Sequence, residues 1–451
     1  MHQRRVSLEV LAWASKHGGP YHYLISFPHL LRCFCSETHL IGTWRWFFEE
    51  VPRHPQFMAQ DHDSKPARQV LLVRGGVLSQ YSGLGGAFHD LRTSLKEGDI
   101  PRWNYAGTEE YQLSKNASGL RRILKRWFGH PKRVKASIRR HHQQRSADLI
   151  HVADQEQAHL IPSSSQVPVV IYVHDFFHLF PEVITLSGEE IEIGQQQPPW
   201  YRRSDLKRLM KGIKRSNAII CNTKATEMLC KKHFPNKPLY RIPYGLDVAK
   251  FAPPSALPPM PASLSSQTCN FLVVGSHDPR KRLKFLIRTL SQLPKEVLKS
   301  IRIHHIGSDT CPYGELSASE YAGQHQVPWS QVGGEVSDEL LNLYRWHTEA
   351  LLFPSGAEGF GYPPVESMAA GQPVLASNRP AHNELMPDGH CLDAEDESAW
   401  CQAIITVHER WVKRNGSPRK PDMSLIKHVD FLSPERFHDE MSRAWDEISS
   451  S

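Results

Sequence analysis

The sequence predicts an α/β protein built from two Rossmann-like domains whose parallel sheets face a cleft. From residue 70 onward, short β-rich runs alternate with longer amphipathic runs, as in parallel sheets covered by helices on both faces. An uncharged, proline-rich segment at 252–268 is typical of a linker. The same alternation starts again after this segment. A chain of 451 residues is also too long for one ordinary core.

The first domain is predicted over residues 69–251. Its predicted buried strands are VLLV (70–73), ADLIHV (147–152), PVVIYVHD (168–175) and AIICNT (218–223). Helices are expected near 86–97 and 204–216. Thr223 is expected to cap a further helix, because its hydroxyl can accept from a backbone N–H of the first turn.

The second domain is predicted over residues 269–428, and a C-terminal amphipathic helix over 429–451. The predicted strands are FLVVGS (271–276), IRIHHIG (301–307) and LLFPS (351–355). Helices are expected from about residue 281 and near 337–347, the latter started by Ser337.

Residues 1–68 form an N-terminal leader without a sustained helical or strand period. Translation that begins at Met58 would make residues 1–57 an upstream artefact. A genuine extension peculiar to the family is the alternative, and the sequence leaves both open.

The composition favours a cytoplasmic enzyme. The eight cysteines are scattered and include no CxxC pair, so neither a zinc site nor a disulfide framework is expected. No apolar run approaches the length of about 18 residues that spans a bilayer. The formal charge of +7 is concentrated in the segment 121–145, which holds ten basic residues and no acidic one. We expect this basic block to bind an anionic membrane surface from the inner face, with a solvated surface as the alternative. No recognised nucleic-acid module accompanies it, so no nucleic-acid partner is predicted.

The segment LLFPSGAEGFGYPPVESMAAGQPVLAS (351–377) carries most of the chemical information. A buried strand is predicted to end at Ser355, followed by a glycine-rich loop and a short helix that begins at Pro363 and Pro364. Glycines let a backbone approach a ligand, and the N–H groups of a helix start form an anion site. Glu358 is expected at the carboxyl end of the strand and Glu366 in the first helical turn, where a carboxylate also favours the helix dipole.

This segment resembles the signature of the family 4 retaining glycosyltransferases of GT-B fold, in which two glutamates are separated by seven residues. The similarity runs from about residue 70 to 395 with its landmarks in order. These landmarks include YSGLGGAFHDL (81–91), VHDFFHLFPE (173–182), IPYGLDVAKFAP (242–253) and VVGSHDPRKRLKFLIRTL (273–290). The Pro-Arg-Lys triplet (279–281) is similar to that of bacterial mannosyl- and rhamnosyltransferases.

The resemblance implies catalytic roles for Glu358, His174 and Lys281. Glu358 and His174 would contact the transferred sugar from opposite domains, and Lys281 would neutralise the donor diphosphate. The residues implied in donor binding are Arg280, Glu366, Gly359, Phe360, Gly361, Gly85 and Gly86. Many relatives carry an arginine where this chain has Ser276, and Arg280 is expected to supply that charge instead.

No metal or other cofactor is expected. Asp61-His62-Asp63 imitates a metal-binding DxD motif but has no strand before it. Gly83-x-Gly85 lacks the third glycine of a dinucleotide fingerprint, because Phe88 stands in its place.

The function implied by the resemblance is transfer of mannose, rhamnose or a similar hexose from a nucleotide-diphosphate donor, with retention at the anomeric carbon. The implied mechanism is front-face attack, in which a donor phosphate oxygen takes the proton of the acceptor hydroxyl. The implied acceptor is a glycan or lipid-linked glycan of surface polysaccharide. A catalytically inactive sugar-nucleotide-binding protein and a sugar-nucleotide epimerase are the alternatives.

Overall fold

The computed structural model describes residues 67–80, 82–114, 118–311, 316–334 and 336–450. Two six-stranded sheets, each entirely parallel, dominate this part of the chain. The predicted leader, together with the alternative start at Met58 and the Asp61-His62-Asp63 triplet, lies almost wholly outside the described residues.

The first sheet has the strand order β2-β1-β3-β4-β7-β8, while β5 and β6 pair with each other as an antiparallel hairpin. The strands are β1 (Arg68–Gly76), β2 (Trp103–Tyr111), β3 (Leu149–Val152), β4 (Val169–Val173), β5 (Glu182–Leu186), β6 (Glu189–Ile193), β7 (Ala218–Cys221) and β8 (Leu239–Arg241). Strands β3, β4 and β7 are buried throughout, as expected for parallel strands covered on both faces.

The helices that follow these strands are α1 (Gly83–Glu97), α2 (Gly119–Leu124), α3 (His130–Gln144), α4 (Trp200–Arg215) and α5 (Lys224–His233). A π-helical turn, Lys125–Gly129, joins α2 to α3. The Thr223 side chain accepts a hydrogen bond from the Thr226 backbone N–H at the start of α5, which confirms the predicted cap.

The second sheet has the order β11-β10-β9-β12-β13-β14. Its strands are β9 (Cys269–Val274), β10 (Ile301–Ile306), β11 (Trp329–Gly333), β12 (Ala350–Phe353), β13 (Val374–Ser377) and β14 (Cys391–Leu392). Its helices are α6 (Leu283–Ser291), α7 (Lys295–Ser300), α8 (Ala318–Gln324), α9 (Asp338–His347), α10 (Tyr362–Ala369), α11 (Pro380–Leu385) and α12 (Glu397–Lys413). Ser337 caps α9, as predicted.

The two sheets are connected by an irregular segment at 252–268 and a second time by the C-terminal helices α13 (Met423–His428) and α14 (Pro434–Ser450). Helix α14 returns to the first sheet, where the Trp445 ring lies 5.4 Å from the Trp103 ring. One continuous apolar core includes residues of both halves, among them Tyr172 and Phe360. The first and second halves are therefore packed against each other.

The structure differs from the predictions in several places, and the strands β8, β11 and β14 were not predicted. Strand β12 ends at Phe353 and not at Ser355. Strand β2 and the β5–β6 hairpin were not predicted, because their residues are largely polar and give no apolar run.

Candidate active site

The second sheet reverses its strand order between β9 and β12. Ligands of open parallel sheets bind outside the carboxyl ends of the strands at such a switch point. The chain that leaves β9 carries Arg280 and Lys281, and the chain that leaves β12 carries Glu358. The topology thus brings Arg280 and Lys281 next to Glu358, which stands almost 80 positions further along the sequence.

A cluster of two cations surrounds the carboxylate of Glu358. The ammonium group of Lys281 lies 2.5 Å from Glu358 Oε1, and the Ser355 hydroxyl donates to the same oxygen at 2.6 Å. The guanidinium of Arg280 donates to Glu358 Oε2 at 2.9 Å and to the Ala357 carbonyl at 2.9 Å. The side chains of Glu358 and Lys281 keep only 9% and 11% of their surface exposed.

Glu358 is held in its ionised form. Burial alone would raise the pKa of its carboxyl, but the charges of Lys281 and Arg280 outweigh burial and hold the pKa well below its usual range. A carboxylate stabilised in this way is a poor nucleophile and a poor general base, so its arrangement suits orientation of a polar ligand. Glu358, Lys281 and Arg280 together carry one excess positive charge at neutral pH, and the Asp278 carboxylate lies 3.7 Å from the Arg280 guanidinium.

The glycine-rich loop at 359–361 leads directly into α10. Gly361 has φ +106°, a left-handed conformation that favours glycine, and precedes the first helical residue, Tyr362. Pro363 and Pro364 have no backbone N–H, so Gly361 and Tyr362 supply the donors of this helix start. The predicted anion site therefore has fewer donors than an ordinary helix N-terminus.

Glu366 lies in the second turn of α10 and not in the first, so the prediction of a first-turn position is wrong. The macrodipole acts mainly within the first turn and does not account for a glutamate here. The Glu366 carboxylate instead pairs with the guanidinium of Arg345, a residue of α9 whose side chain is almost fully buried. Arg345 also donates to Asn342 at 2.7 Å.

His174 follows β4 and faces the second domain from the first. A Cβ atom on Gly359 would lie 2.6 Å from the His174 carbonyl oxygen, so only glycine allows this approach. His174 Nε2 lies 2.8 Å from the Ala153 carbonyl, and Nδ1 is hydrogen-bonded to the Tyr244 hydroxyl. Burial lowers the pKa of His174 to about 4, so its ring is neutral at pH 7. Both ring nitrogens thus have protein partners, a geometry that the sequence did not indicate.

Gly85 and Gly86 lie in the first turn of α1, which Ser82 caps. A Cβ atom at Gly85 would lie 1.9 Å from the Ser79 carbonyl oxygen, whereas one at Gly86 would meet the Gln80 carbonyl at 3.1 Å. The neighbouring Gly83 is close to Tyr362 of the second domain. This loop therefore reaches the start of α10.

We expect Gly85→Ala to disturb this loop much more than Gly86→Ala. The Gly85 variant must displace the backbone at Ser79, at a cost of about 2 kcal/mol or more, while the Gly86 variant needs only a small shift. Melting temperatures of the two variants, with and without nucleotide, measure the difference. Equal melting temperatures would contradict the inference that the close approach of the Ser79 carbonyl requires glycine at position 85.

The basic block differs in part from the prediction. Arg126 points inward and binds Asp205 with contacts of 2.8–3.2 Å, and the Trp127 indole donates to the same carboxylate at 3.1 Å. Arg126 and Trp127 therefore do not belong to an outward-facing surface. Leu124 and Phe128 remain exposed in this segment.

A cavity of about 530 Å³ lies beside the basic block, at the end of β1. Aromatic and basic side chains line part of it, including Tyr111, Trp127, Tyr201 and Arg122. None of its lining residues belongs to the Glu358 cluster. It is thus a concave surface on the first domain, separate from that cluster.

Ser355, Arg345 and Tyr244 contact the predicted site residues but were not predicted. Ser355 stands three residues before Glu358 and two residues after the end of β12, and a serine that closely follows a strand is a signal that could have found it. Tyr244 belongs to the landmark IPYGLDVAKFAP, which could have drawn attention to it, whereas Arg345 stands in an ordinary helical context and only the fold brings it to the site.

Among the described residues, no group of three or more His, Cys, Asp or Glu side chains is arranged to hold a metal ion. Within the same residues, no helix has the length and apolar character needed to cross a membrane.

Two packed domains, each built on a six-stranded parallel sheet, define a protein of GT-B fold. Solved structures share this architecture. Sucrose-phosphate synthase from Thermosynechococcus elongatus matches with a TM-score of 0.61 and 17% identity, over 85% of this chain and 99% of that one. HepE from Anabaena, solved with UDP and glucose, matches with a TM-score of 0.57 and 15% identity, over 85% of this chain and 100% of that one.

The chain belongs to the group 1 and family 4 glycosyltransferases. Residues 104–250 match the model described as Glycosyltransferase Family 4, and residues 268–410 match that of Glycosyl transferases group 1. Together the two matches cover more than half of the chain.

Curated relatives match over shorter segments. The O-antigen chain mannosyltransferase RfbU of Salmonella typhimurium is 37% identical over 76 residues, which are 17% of this chain and 22% of that protein. The O-antigen chain mannosyltransferase B of Escherichia coli is 29% identical over 135 residues, 30% of this chain and 35% of that protein. The chain therefore spans only 22% and 35% of the lengths of these two relatives.

Proposed function

We propose that this protein is a retaining glycosyltransferase that moves mannose, rhamnose or a similar hexose from a nucleotide-diphosphate donor to a glycan or lipid-linked acceptor of surface polysaccharide. The observation that carries the proposal is the Lys281–Arg280–Glu358 cluster at the switch point of the second sheet. The mannosyltransferase relatives and the UDP-bound structural neighbour support the class of reaction and of donor.

In this reaction the bond between the anomeric carbon and the donor phosphate oxygen breaks, and a bond to the acceptor oxygen forms on the same face. The acceptor proton goes to the departing phosphate oxygen, which gains negative charge. Lys281 and Arg280 would stabilise that charge, since fixed cations in a water-poor site act strongly on charge that develops in the transition state. Glu358 would hold these cations in place and bind sugar hydroxyls with its remaining lone pairs.

A thermal-shift screen tests the donor. Ligand that binds the folded protein at 100 times its Kd stabilises it by about 2.7 kcal/mol. We expect one of the GDP-, UDP-, ADP- or dTDP-sugars to raise the melting temperature, and the same donor to yield glycosylated product with a glycan acceptor. Binding without product across a wide acceptor panel would favour an inactive binding protein. Conversion of the donor without any acceptor would favour an epimerase.

We expect turnover to need no divalent metal. The charge of Lys281 and Arg280 takes the place that a metal ion has on the diphosphate in other transferases. Turnover in EDTA should equal turnover in magnesium at matched ionic strength. Loss of turnover in EDTA that magnesium restores would overturn this expectation.

We also propose that the basic block brings the protein to an anionic membrane surface on the cytoplasmic face. Exposed apolar side chains support the proposal: Leu120, Leu124 and Phe128 lie among the exposed Arg121 and Arg122. Each basic residue near an anionic surface contributes about 1 kcal/mol, and an exposed apolar side chain adds to that by insertion. The adjoining cavity at the end of β1 would then receive the acceptor.

Liposome co-sedimentation checks this prediction. Binding should require anionic lipid, weaken in high salt, and fall about 30-fold when Arg121 and Arg122 both become Gln. Lys295→Gln with Lys299→Gln is the matched control, because it removes two exposed charges from the second domain. Equal loss in both pairs, or equal binding to neutral vesicles, would contradict a specific membrane-binding surface.

A further inference from the structure

Tyr244 joins the two domains at the candidate site. It lies in the segment between β8 and the linker, its side chain is 7% exposed, and its hydroxyl is bonded to His174 Nδ1. The Asn222 side chain donates to the Tyr244 hydroxyl at 3.4 Å and to the His174 carbonyl at 3.2 Å. The hydroxyl of Tyr244 is therefore bonded to residues of the first domain.

The bonding pattern defines the protonation of the His174 ring. The Ala153 carbonyl can only accept, so Nε2 carries the proton and donates to it at 2.8 Å. Because the ring is neutral, Nδ1 has a lone pair and accepts from the Tyr244 hydroxyl. Two bonds at opposite ends of the ring thus fix both its tautomer and its plane.

The ring of Tyr244 packs on the donor loop of the second domain. It is stacked on Tyr362 with ring centroids 5.0 Å apart, and it meets Phe360 edge-on at 4.8 Å. The preceding residue, Gly359, lies against the His174 carbonyl and accepts from the Thr223 hydroxyl at 3.2 Å. One side chain therefore touches both His174 and the loop that enters α10.

We propose that Tyr244 is a positioning residue for the transfer step, which fixes the His174 ring and the 359–362 loop relative to each other. The inference rests on the proposed transferase function and adds to it a residue outside the motif glutamates and cations. A histidine that could rotate would leave the sugar without a defined neighbour on the first-domain side. A loop that could move away from His174 would change the position of Glu358, which lies one residue before Gly359.

The matched pair of variants is Tyr244→Phe and Tyr172→Phe. Tyr172 is buried in the same aromatic stack, with its ring 5.5 Å from that of Tyr244 and 4.7 Å from that of His174. Its hydroxyl donates to the Ile242 carbonyl at 2.6 Å and makes no bond to His174. Each variant removes one buried hydroxyl, so their effects on stability should be similar.

We expect Tyr244→Phe to lower kcat about tenfold, with a much smaller change in the KM of the donor, while Tyr172→Phe keeps kcat close to wild type. In a His174→Ala background Tyr244→Phe should lower kcat no further, since residues that act through one another are not additive. Equal losses of kcat in the two single variants would overturn the proposal, as would an undiminished loss in the His174→Ala background.

NMR titration of the His174 ring gives a readout that needs no turnover. A hydroxyl that donates to Nδ1 favours the neutral ring, so its removal in Tyr244→Phe should raise the pKa of His174 from about 4, with no change in Tyr172→Phe. The other charged or titratable groups that act on this ring are Arg74 and His151, and both variants leave them in place. An unchanged His174 pKa in Tyr244→Phe overturns the inference even if the wild type transfers sugar. A raised pKa without wild-type turnover on any donor supports the Tyr244–His174 link and counts against the proposed function.

Discussion

Lys281→Ala is expected to lower turnover about 100-fold or more while the protein stays folded. The ammonium group of Lys281 is nearly buried and lies 2.5 Å from Glu358. Its removal leaves Arg280 as the one remaining cation on this carboxylate among the described contacts, and the excess positive charge of the cluster disappears. A departing diphosphate would then develop its charge beside a neutral cluster. Steady-state turnover with the donor identified by thermal shift measures the loss, and circular dichroism verifies the fold.

Glu358→Gln tests the same cluster by removing its anion instead of one of its cations. Glutamine keeps the shape and can still accept from Lys281 or Arg280, but it carries no charge to hold both, so a loss of similar size is expected. Lys284→Ala is the control, because Lys284 lies one turn further along the chain and contacts the Tyr321 ring instead of Glu358. Turnover near wild type in Lys281→Ala or Glu358→Gln would remove that residue from the site. A loss in Lys284→Ala as large as that in Lys281→Ala would show that the effect depends on the total positive charge of this region and not on contact with Glu358.

The architecture could be predicted because parallel strands buried on both faces leave a strong local signal. Runs such as Ile171 to Val173 and Leu351 to Phe353 are apolar over consecutive residues, and Thr223 and Ser337 mark helix starts by their hydroxyls. Strand β2 gives no such signal: it lies at the edge of its sheet and contains Thr108, Glu109 and Glu110. Its position depends on pairing with β1, which no short stretch of sequence encodes.

The sequence predicted that Glu358, Arg280 and Lys281 lie near one another, and it did not predict their contacts. The motif glutamates and the Arg280–Lys281 pair were predicted to lie around one ligand, but nothing in either segment indicates that Glu358 binds both cations. That contact depends on the switch point between β9 and β12, which is a property of the strand order. The position of Glu366 was also beyond what the sequence could predict. The helix was predicted to begin at Pro363, but it begins at Tyr362, and this difference of one residue moves Glu366 from the first turn to the second.

Glu366→Ala is expected to weaken both stability and donor binding. The guanidinium of Arg345 is 1% exposed, and without Glu366 it keeps the Asn342 oxygen but loses its charged partner. Breaking a buried ion pair by removal of one partner costs about 3 kcal/mol or more. We therefore expect a clearly lower melting temperature. The carboxylate itself is 21% exposed, so it can also reach a ligand in the cleft.

The double variant Arg345→Met with Glu366→Ala separates the structural role from the binding role. Replacement of both members of a buried ion pair by apolar groups is often neutral or stabilising, so the melting temperature should recover most of the loss seen in Glu366→Ala. Donor affinity should stay at least about tenfold below wild type, because the ribose hydroxyls lose a charged acceptor and nothing replaces it. Arg345→Met alone leaves Glu366 in place without its cation, and it should bind donor better than the double variant does. Recovery of wild-type donor affinity in the double variant would mean that Glu366 serves only to neutralise Arg345, and the nucleotide would then have to be held elsewhere along α10.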